Sequence, residues 1–194
     1  MVFLFYECIY FTHTKIRNEK IHPEKSVILS MQNSQLLNAE EIEQKLIRMA
    51  YEIAERHYNE KNIVFVGIEE NGAAVSKRLF ELVKEIVAIP CEIISIQLSK
   101  DNAIGSAKLS NSISLKNTCV VLIDDVFNSG RTLMHAASFL AAQEIHRLTT
   151  AVLVERKHRR FPIKADFVGL KLSTTLKEHV TVSMDGKNSS VTIR

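Results

Sequence analysis

The chain has 194 residues, enough for one domain with a substantial hydrophobic core. Hydrophobic residues make up 46% of it and charged residues 24%, which excludes intrinsic disorder as the default class. A net charge of +3 and an isoelectric point near 8.7 suit phosphorylated ligands but fall short of a dedicated nucleic-acid binder.

Three widely spaced cysteines, Cys8, Cys91 and Cys119, indicate buried thiols in a reducing compartment rather than a disulfide framework. Neither a CxxC pair nor a Cys/His ligand spacing points to a metal site. We therefore expect a cytoplasmic protein.

The first thirty residues differ from the rest of the sequence. The apolar run from Met1 to Phe11 is interrupted by Glu7 and is far too short to span a bilayer. It also lacks the basic start and the cleavage site of a signal peptide, so we expect no association with a membrane. Our hypothesis is that residues 1–30 are an N-terminal extension and that the functional domain, 31–194, begins at Met31.

The next part of the chain predicts a helix, a strand, a loop and a second helix. Asn38 and Glu41 have the spacing of a capping box at the start of the first helix. Residues 63–66 form a continuous apolar run, typical of a strand buried on both faces of a parallel sheet. A tight loop over 67–72 then leads into a helix that ends near Val87.

A further strand is predicted over Ile93 to Leu98, and a long segment without hydrophobic period follows it. This segment, residues 99–117, is rich in Ser, Asn and Lys. A loop of such length in a compact domain is more often functional than accidental, and we expect it to act as a mobile lid.

The most informative pattern lies in residues 120–132. A third apolar strand is followed by Asp124 and Asp125, at the strand end where ligands bind in open α/β sheets. Small and polar residues then precede a helical run, so that Gly130 and the first helical N–H groups could surround an anion such as phosphate. The pattern is neither a Walker A loop nor a dinucleotide fingerprint. The alternative is a structural turn in which Arg131 is only a surface counter-ion.

The remaining elements complete an alternating pattern. Residues 149–154 predict another parallel strand, so that strands and helices alternate as in a right-handed βαβ sheet. Short strands around Phe167, Val180 and Val191 are expected to cap one edge of that sheet.

The segment Val120 to Thr132 resembles, without gaps, the phosphoribosyl pyrophosphate (PRPP) signature of type I phosphoribosyltransferases. The resemblance implies that Asp124 and Asp125 are catalytic, bind the ribose hydroxyls of PRPP and hold Mg²⁺. Carboxylates accept hydrogen bonds from a diol and stabilise a sugar ring that becomes cationic. The loop expected to wrap the 5′-phosphate of PRPP consists of Val126, Phe127, Asn128, Ser129, Gly130, Arg131 and Thr132.

By the same resemblance, the loop over residues 67–72 grips the pyrophosphate of PRPP. The bifunctional pyrimidine-operon regulators, a branch of this family, carry basic residues there, whereas this chain has Glu69 and Glu70. Two carboxylates repel pyrophosphate unless Mg²⁺ lies between or they point away. Lys100 lies where the related proteins have an arginine and is a candidate catalytic cation. The candidate PRPP contacts in the loop are Glu70, Asn71 and Gly72.

Residues 153–169 resemble the corresponding segment of the bifunctional pyrimidine-operon regulators with uracil phosphoribosyltransferase activity. Hypoxanthine-guanine enzymes carry a lysine at the position of Glu155, and a carboxylate cannot donate to the O6 of a purine. The resemblance therefore favours uracil, with Glu155, His179 and Val180 as candidate base-binding residues.

In the regulators this segment also takes part in binding RNA. The candidate RNA contacts are Arg156, His158, Arg159 and Lys164, since Lys and Arg bind phosphates in a salt-dependent manner. A solvated basic loop over the site is the alternative.

The patterns predict an α/β domain with a central parallel sheet of about five strands, flanking helices and a small C-terminal hood, and the resemblance implies that this is the type I phosphoribosyltransferase fold. The expected reaction joins uracil to the ribose of PRPP, giving UMP and pyrophosphate. Two alternatives are a nucleotide-responsive RNA-binding regulator of pyrimidine genes and a catalytically weak PRPP or nucleotide sensor. The resemblance also implies a homodimer or a higher homo-oligomer.

Overall fold

The structure is a computed structural model that describes residues 34–99, 107–173 and 178–194. The proposed extension 1–30, the candidate Lys100 and the tip of the expected lid lie outside the described residues. Among the residues described, no helix is long and apolar enough to span a membrane.

The described elements alternate as the sequence predicts. In chain order they are β1 (Ser34–Leu37), α1 (Ala39–Arg56), β2 (Ile63–Ile68), α2 (Asn71–Ile86), β3 (Cys91–Leu98), β4 (Ala107–Leu109), β5 (Cys119–Phe127), α3 (Arg131–Ala141), β6 (Arg147–Arg156), β7 (Phe167–Leu172), β8 (Val180–Ser183), a 3₁₀ turn (Gly186–Asn188) and β9 (Ser190–Ile193).

The central sheet has the strand order β4-β3-β2-β5-β6-β7. Its neighbouring strands are parallel except β3 and β4, which are antiparallel. The five parallel strands agree with the prediction. The sixth, β4, lies inside the segment expected to be a lid, where Ser110 N–H donates to Ser95 O at 2.9 Å and closes the β3–β4 pair.

The helices cover both faces of the sheet. Helix α1 starts with a complete capping box, in which Asn38 Oδ1 accepts from Glu41 N–H and Glu41 Oε2 accepts from Asn38 N–H, both at 2.9 Å. Helices α1 and α2 pack on one face and α3 on the other. Each fully buried aliphatic side chain in these clusters contributes roughly 1.5–3 kcal/mol.

Strand β5 shows why its apolar run is continuous. Val121 and Ile123 face the cluster that α1 and α2 cover, whereas Val120 and Leu122 face the cluster under α3. Both faces of β5 are therefore buried, as is typical of a central strand in a parallel sheet.

A three-stranded antiparallel hood forms a second sheet, with the order β1-β9-β8. We expected the strand at Phe167 to belong to the hood. That expectation is wrong, because Phe167 is buried and pairs with Ala151 in the central sheet. The third strand of the hood is instead β1, which pairs with β9. This pairing joins residues more than 150 positions apart, so local sequence cannot indicate it.

Candidate active site

The two acids lie where β5 extends beyond its neighbour. The pairing of β2 with β5 ends at Gly67 and Ile123, although β5 itself continues to Phe127. The sequence analysis predicted that this strand ends at the acids. Strand β5 instead includes both acids and extends beyond its pairing with β2. Asp124 and Asp125 therefore face the loop that joins β2 to α2.

A glycine allows this loop to approach the acids. A Cβ at Gly72 would lie 3.0 Å from both Asp124 Cα and Ile123 O. Any side chain there would push the first turn of α2 away from β5. The candidate pyrophosphate loop and the candidate ribose site are therefore in direct contact.

The two carboxylates differ in environment. Asp124 is 9% exposed, and its Oδ1 accepts from Asp125 N–H at 2.9 Å. Burial raises the pKa of Asp124 well above its ordinary value, and the neighbouring Asp125 raises it further. Asp125 is half-buried; its Oδ1 accepts from Val126 N–H at 2.8 Å and its Oδ2 from Asn71 Nδ2 at 3.1 Å.

A small cavity of about 40 Å³ lies beside Asp124 at the start of α3. Gly130 adopts a left-handed conformation, with φ of 86°, and its carbonyl accepts the first bond of the helix from Met134 N–H. Arg131 N–H donates to Ser129 Oγ at 3.3 Å, whereas the N–H groups of Thr132 and Leu133 have no acceptor one helical turn earlier in α3 and lie at the loop, as an anion site requires. The cavity is lined by Asp124, Val126, Phe127, Asn128, Ser129, Gly130, Thr132 and Leu133. Arg131, the remaining loop residue, is exposed and does not line it.

The basic segment after β6 closes over this loop. Ser129 O accepts from Arg160 N–H at 2.9 Å and from Phe161 N–H at 3.2 Å. A Cβ at Gly130 would meet Ile163 Cγ2 at 3.0 Å. Sequence reasoning missed these supports, because the contacts join segments about thirty residues apart and leave no local pattern.

One of the two unexpected glutamates points away from the cavity. Glu69 Oε1 accepts from Ser95 Oγ on β3 at 2.9 Å, and Glu69 N–H donates to Ile96 O at 3.1 Å. The peptide bond between Glu69 and Glu70 is cis. Glu70 is exposed at the start of α2. Of the two carboxylates, mainly Glu70 is therefore expected to repel pyrophosphate.

The candidate base-binding residues come from two elements. Glu155 lies at the carboxyl end of β6, opposite Phe127 of β5, and its Oε2 is 3.9 Å from Lys171 Nζ on β7. His179 exchanges backbone hydrogen bonds with Arg194 at the start of β8, and Val180 is half-buried against the core. Strand β8 contacts β5, which brings the hood to the sheet that carries the acids.

The candidate RNA residues divide by exposure. Arg159 and Lys164 are exposed, and His158 is half-buried. Arg156 is only 4% exposed, so it does not belong to the exposed part of the predicted patch. It lies on β6, where alternate side chains point into the packed interior.

Comparison with known proteins bears directly on this site. A family model described as the phosphoribosyl transferase domain matches residues 32–186. Among similar proteins, one named Bifunctional protein PyrR from Chloroflexus aurantiacus is 35% identical over 172 residues, covering 82% of this chain and 94% of the relative. A protein of the same name from Citrifermentans bemidjiense is 34% identical over 165 residues, covering 80% and 93%.

Solved structures agree on the fold. The hypoxanthine phosphoribosyltransferase of Trypanosoma cruzi has a TM-score of 0.69 at 18% identity and covers 82% of this chain and 95% of its own. A hypoxanthine-guanine phosphoribosyltransferase from Bacillus anthracis has a TM-score of 0.61 at 19% identity, covering 72% and 82%. The chain thus belongs to the type I phosphoribosyltransferase family, and within it is about one-third identical over most of its length to proteins named Bifunctional protein PyrR.

Proposed function

We propose that the protein transfers the phosphoribosyl group of PRPP to uracil, giving UMP and pyrophosphate. The observation that carries the proposal is the cavity of about 40 Å³ at the start of α3, with Asp124 in its wall and Asp125 next to it. Family membership supports phosphoribosyl transfer in general, and the choice of uracil depends on Glu155.

The acids supply the charge that this reaction needs. As the bond from C1 of the ribose to pyrophosphate breaks and a bond to the uracil nitrogen forms, the sugar ring becomes positively charged. Asp124 and Asp125 stabilise that charge and accept hydrogen bonds from the ribose hydroxyls. Backbone N–H groups of the loop between Phe127 and Thr132 hold the 5′-phosphate and so fix the distance between reactants.

The donor set fits Mg²⁺. Asp124 and Asp125 provide adjacent carboxylate oxygens, the ligands this ion prefers, and burial makes the charge on Asp124 costly without a cation. When bound, Mg²⁺ would neutralise pyrophosphate as it leaves. Lys100 remains a predicted second cation for the pyrophosphate. The hydrogen bond from Ser95 to Glu69 turns that carboxylate away and so reduces its repulsion of pyrophosphate.

Glu155 sets the proposed preference for a pyrimidine. Its carboxylate can accept a hydrogen bond from the N–H of uracil but cannot donate to the O6 of hypoxanthine or guanine. Lys171 Nζ lies 3.9 Å from Glu155 Oε2, so a positive charge faces this acceptor from the neighbouring strand. His179 and Val180 are kept as candidates for the hood side of the base.

The test is transfer from labelled PRPP to uracil, hypoxanthine and guanine in turn, with Mg²⁺. We expect UMP as the main product, and we expect Glu155→Lys to shift the preference towards a purine. Nucleotide from a purine only would overturn the pyrimidine proposal. PRPP binding by calorimetry without any nucleotide would instead support the sensor alternative, and absence of both would overturn both.

A nucleotide-responsive RNA-binding function is a second candidate, favoured by one specific observation. The basic segment is held by two backbone hydrogen bonds to Ser129 of the phosphate loop, so occupancy of that loop could alter the segment that carries Arg159 and Lys164. This coupling would make RNA affinity depend on UMP.

Gel shifts with the leader of the protein's own pyrimidine genes, with and without UMP, test this candidate. We expect Lys164→Ala to weaken binding and reduce the salt slope by about one, with Lys61→Ala as a control at the far end of the sheet. Binding that ignores UMP, or that is equal in both variants, would contradict it. Gel filtration tests the homo-oligomer we also propose.

A further inference from the structure

A second cluster of metal-binding side chains lies at the amino end of the central sheet. Glu60 follows α1, Cys119 begins β5, and His146 precedes β6. One ligand atom from each, an oxygen, a sulfur and a nitrogen, lies within 4.8 Å of the other two. Cys119 and Asp124 are five residues apart on β5, so the cluster is about 16 Å from the candidate active site.

We propose that Glu60, Cys119 and His146 form a binding site for a borderline metal ion of the zinc type, separate from the phosphoribosyl site. The donor set mixes thiolate, imidazole and carboxylate, which is the set that Zn²⁺ accepts and Mg²⁺ does not favour. Three protein ligands leave a fourth position for water.

Backbone hydrogen bonds fix the segments that carry the ligands. Glu60 N–H donates to His57 O at 3.0 Å, and His146 N–H donates to Thr118 O at 2.9 Å. Cys119 is held in the ladder between Ile63 and Arg147. These bonds hold the three segments in place without using the ligand side chains.

Arg147 orients the Glu60 side chain by contacting one of its two carboxylate oxygens. Its Nη1 lies 2.9 Å from Glu60 Oε1, while Glu60 Oε2 lies 3.8 Å from His146 Nε2. One carboxylate oxygen thus has a fixed partner and the other faces the cluster, as in many metal sites where an outer residue positions a ligand.

Small side-chain movements would complete the coordination. Tetrahedral zinc with ligand bonds of about 2.0–2.3 Å places ligands roughly 3.3–3.8 Å apart. The His146 side chain is 59% exposed and can close the remaining gap. Burial, and then Glu60, raise the pKa of Cys119 to about 12, so the thiol is neutral without a metal. Coordination by Sγ therefore releases the thiol proton to solvent.

Neighbouring His57 is not a fourth ligand. Its Nδ1 is 2.8 Å from Ile53 O and its Nε2 is 3.2 Å from Thr149 Oγ1, so both ring nitrogens are engaged. A bound ion would instead link the exit of α1 to the starts of β5 and β6, which is a structural role.

Titration of the metal-free full chain with Co²⁺ and with Zn²⁺ tests the site. We expect one Co²⁺ to give thiolate-to-metal charge-transfer absorption, which Cys119→Ser abolishes and Cys91→Ser retains. Zn²⁺ should raise the melting temperature of the wild type and of Cys91→Ser but not of Cys119→Ser. Absence of saturable binding, or absorption that survives Cys119→Ser, would overturn the proposal.

Variants at the exposed ligand protect the test against misfolding of the buried Cys119 variant. We expect His146→Gln to weaken Zn²⁺ binding by at least about tenfold, since even outer-sphere partners of zinc are worth about 10–100-fold. His135→Gln, on α3, is the matched control and should leave the affinity unchanged. Equal affinity in His146→Gln and the wild type would overturn the proposal.

Discussion

Strand β5 carries one ionisable side chain near each end, and the surroundings of these two side chains differ. Burial raises the pKa of both Cys119 at the amino end and Asp124 near the carboxyl end. The raised pKa leaves Cys119 a neutral thiol, whereas an ionised Asp124 is costly. Each side chain also has an acid beside it, Glu60 and Asp125 respectively.

The difference lies in what offsets the neighbouring acid. At the amino end Arg147 pairs with Glu60, so an opposite charge is built in. At the carboxyl end Asn71 and backbone N–H groups bind Asp125, and these partners are neutral. The carboxyl end thus keeps negative charge for a ligand or a cation to offset, which is typical of a functional site.

The largest expected effect comes from removing one of those negative charges. We predict that Asp125→Asn lowers kcat/KM for phosphoribosyl transfer by about 10²–10³-fold, because it removes charge that stabilises the cationic sugar. Glu60→Gln, the matched change at the other end of the sheet, should leave transfer within about twofold. Comparable losses in both variants would show that the two ends do not differ in function.

The shape of the carboxyl end can be tested at Gly130. Gly130→Ala adds a Cβ at a φ of 86°, within 3.0 Å of Ile163 Cγ2, and should cost about 1–3 kcal/mol of unfolding free energy. Gly186→Ala is the control, since φ is 50° there but nothing lies within 4 Å of the added atom. Urea unfolding should rank Gly130→Ala as the more destabilised; the reverse order would contradict the tight loop.

The cost of the buried carboxylate gives a pH-dependent prediction. Because the folded-state pKa of Asp124 is raised above 3.8, the unfolded chain releases this proton first and the native state loses stability as pH rises through the folded pKa. Asp124→Asn removes that loss. We expect it to raise the unfolding free energy at pH 8 by about 1 kcal/mol or more in the absence of Mg²⁺ and PRPP.

Urea unfolding between pH 5 and 8 measures this effect, at roughly unit steps. Glu92→Gln, an exposed acid on β3, serves as the control and should change stability by less than about 0.5 kcal/mol. If the gain from Asp124→Asn were independent of pH, or absent, the carboxylate would not be the costly group.

A smaller effect is expected at Asn71. Asn71→Ala removes the 3.1 Å hydrogen bond to Asp125 and should raise KM for PRPP about two- to tenfold, with kcat little changed. Asn59→Ala, exposed and remote, is the control. A fall in kcat without a change in KM would mean that Asn71 acts in the transition state rather than in positioning.

Local sequence predicted the elements because it contains their physical causes. The capping box at Asn38 and the dry run at Val120 to Ile123 each act within a few residues, and both were found as expected. The acids and the small loop after them were also predictable, since their order along one strand and turn already brings them together.

What the sequence alone determined is therefore the α/β class, the parallel core and the pair Asp124 and Asp125. Only the tertiary structure decided the rest: β7 in the central sheet, β1 in the hood, Arg156 buried, and the thiol of Cys119 beside Glu60 and His146. The physical reason is distance along the chain. Those features depend on contacts between segments tens of residues apart, and such contacts leave no period, cap or turn in the local sequence.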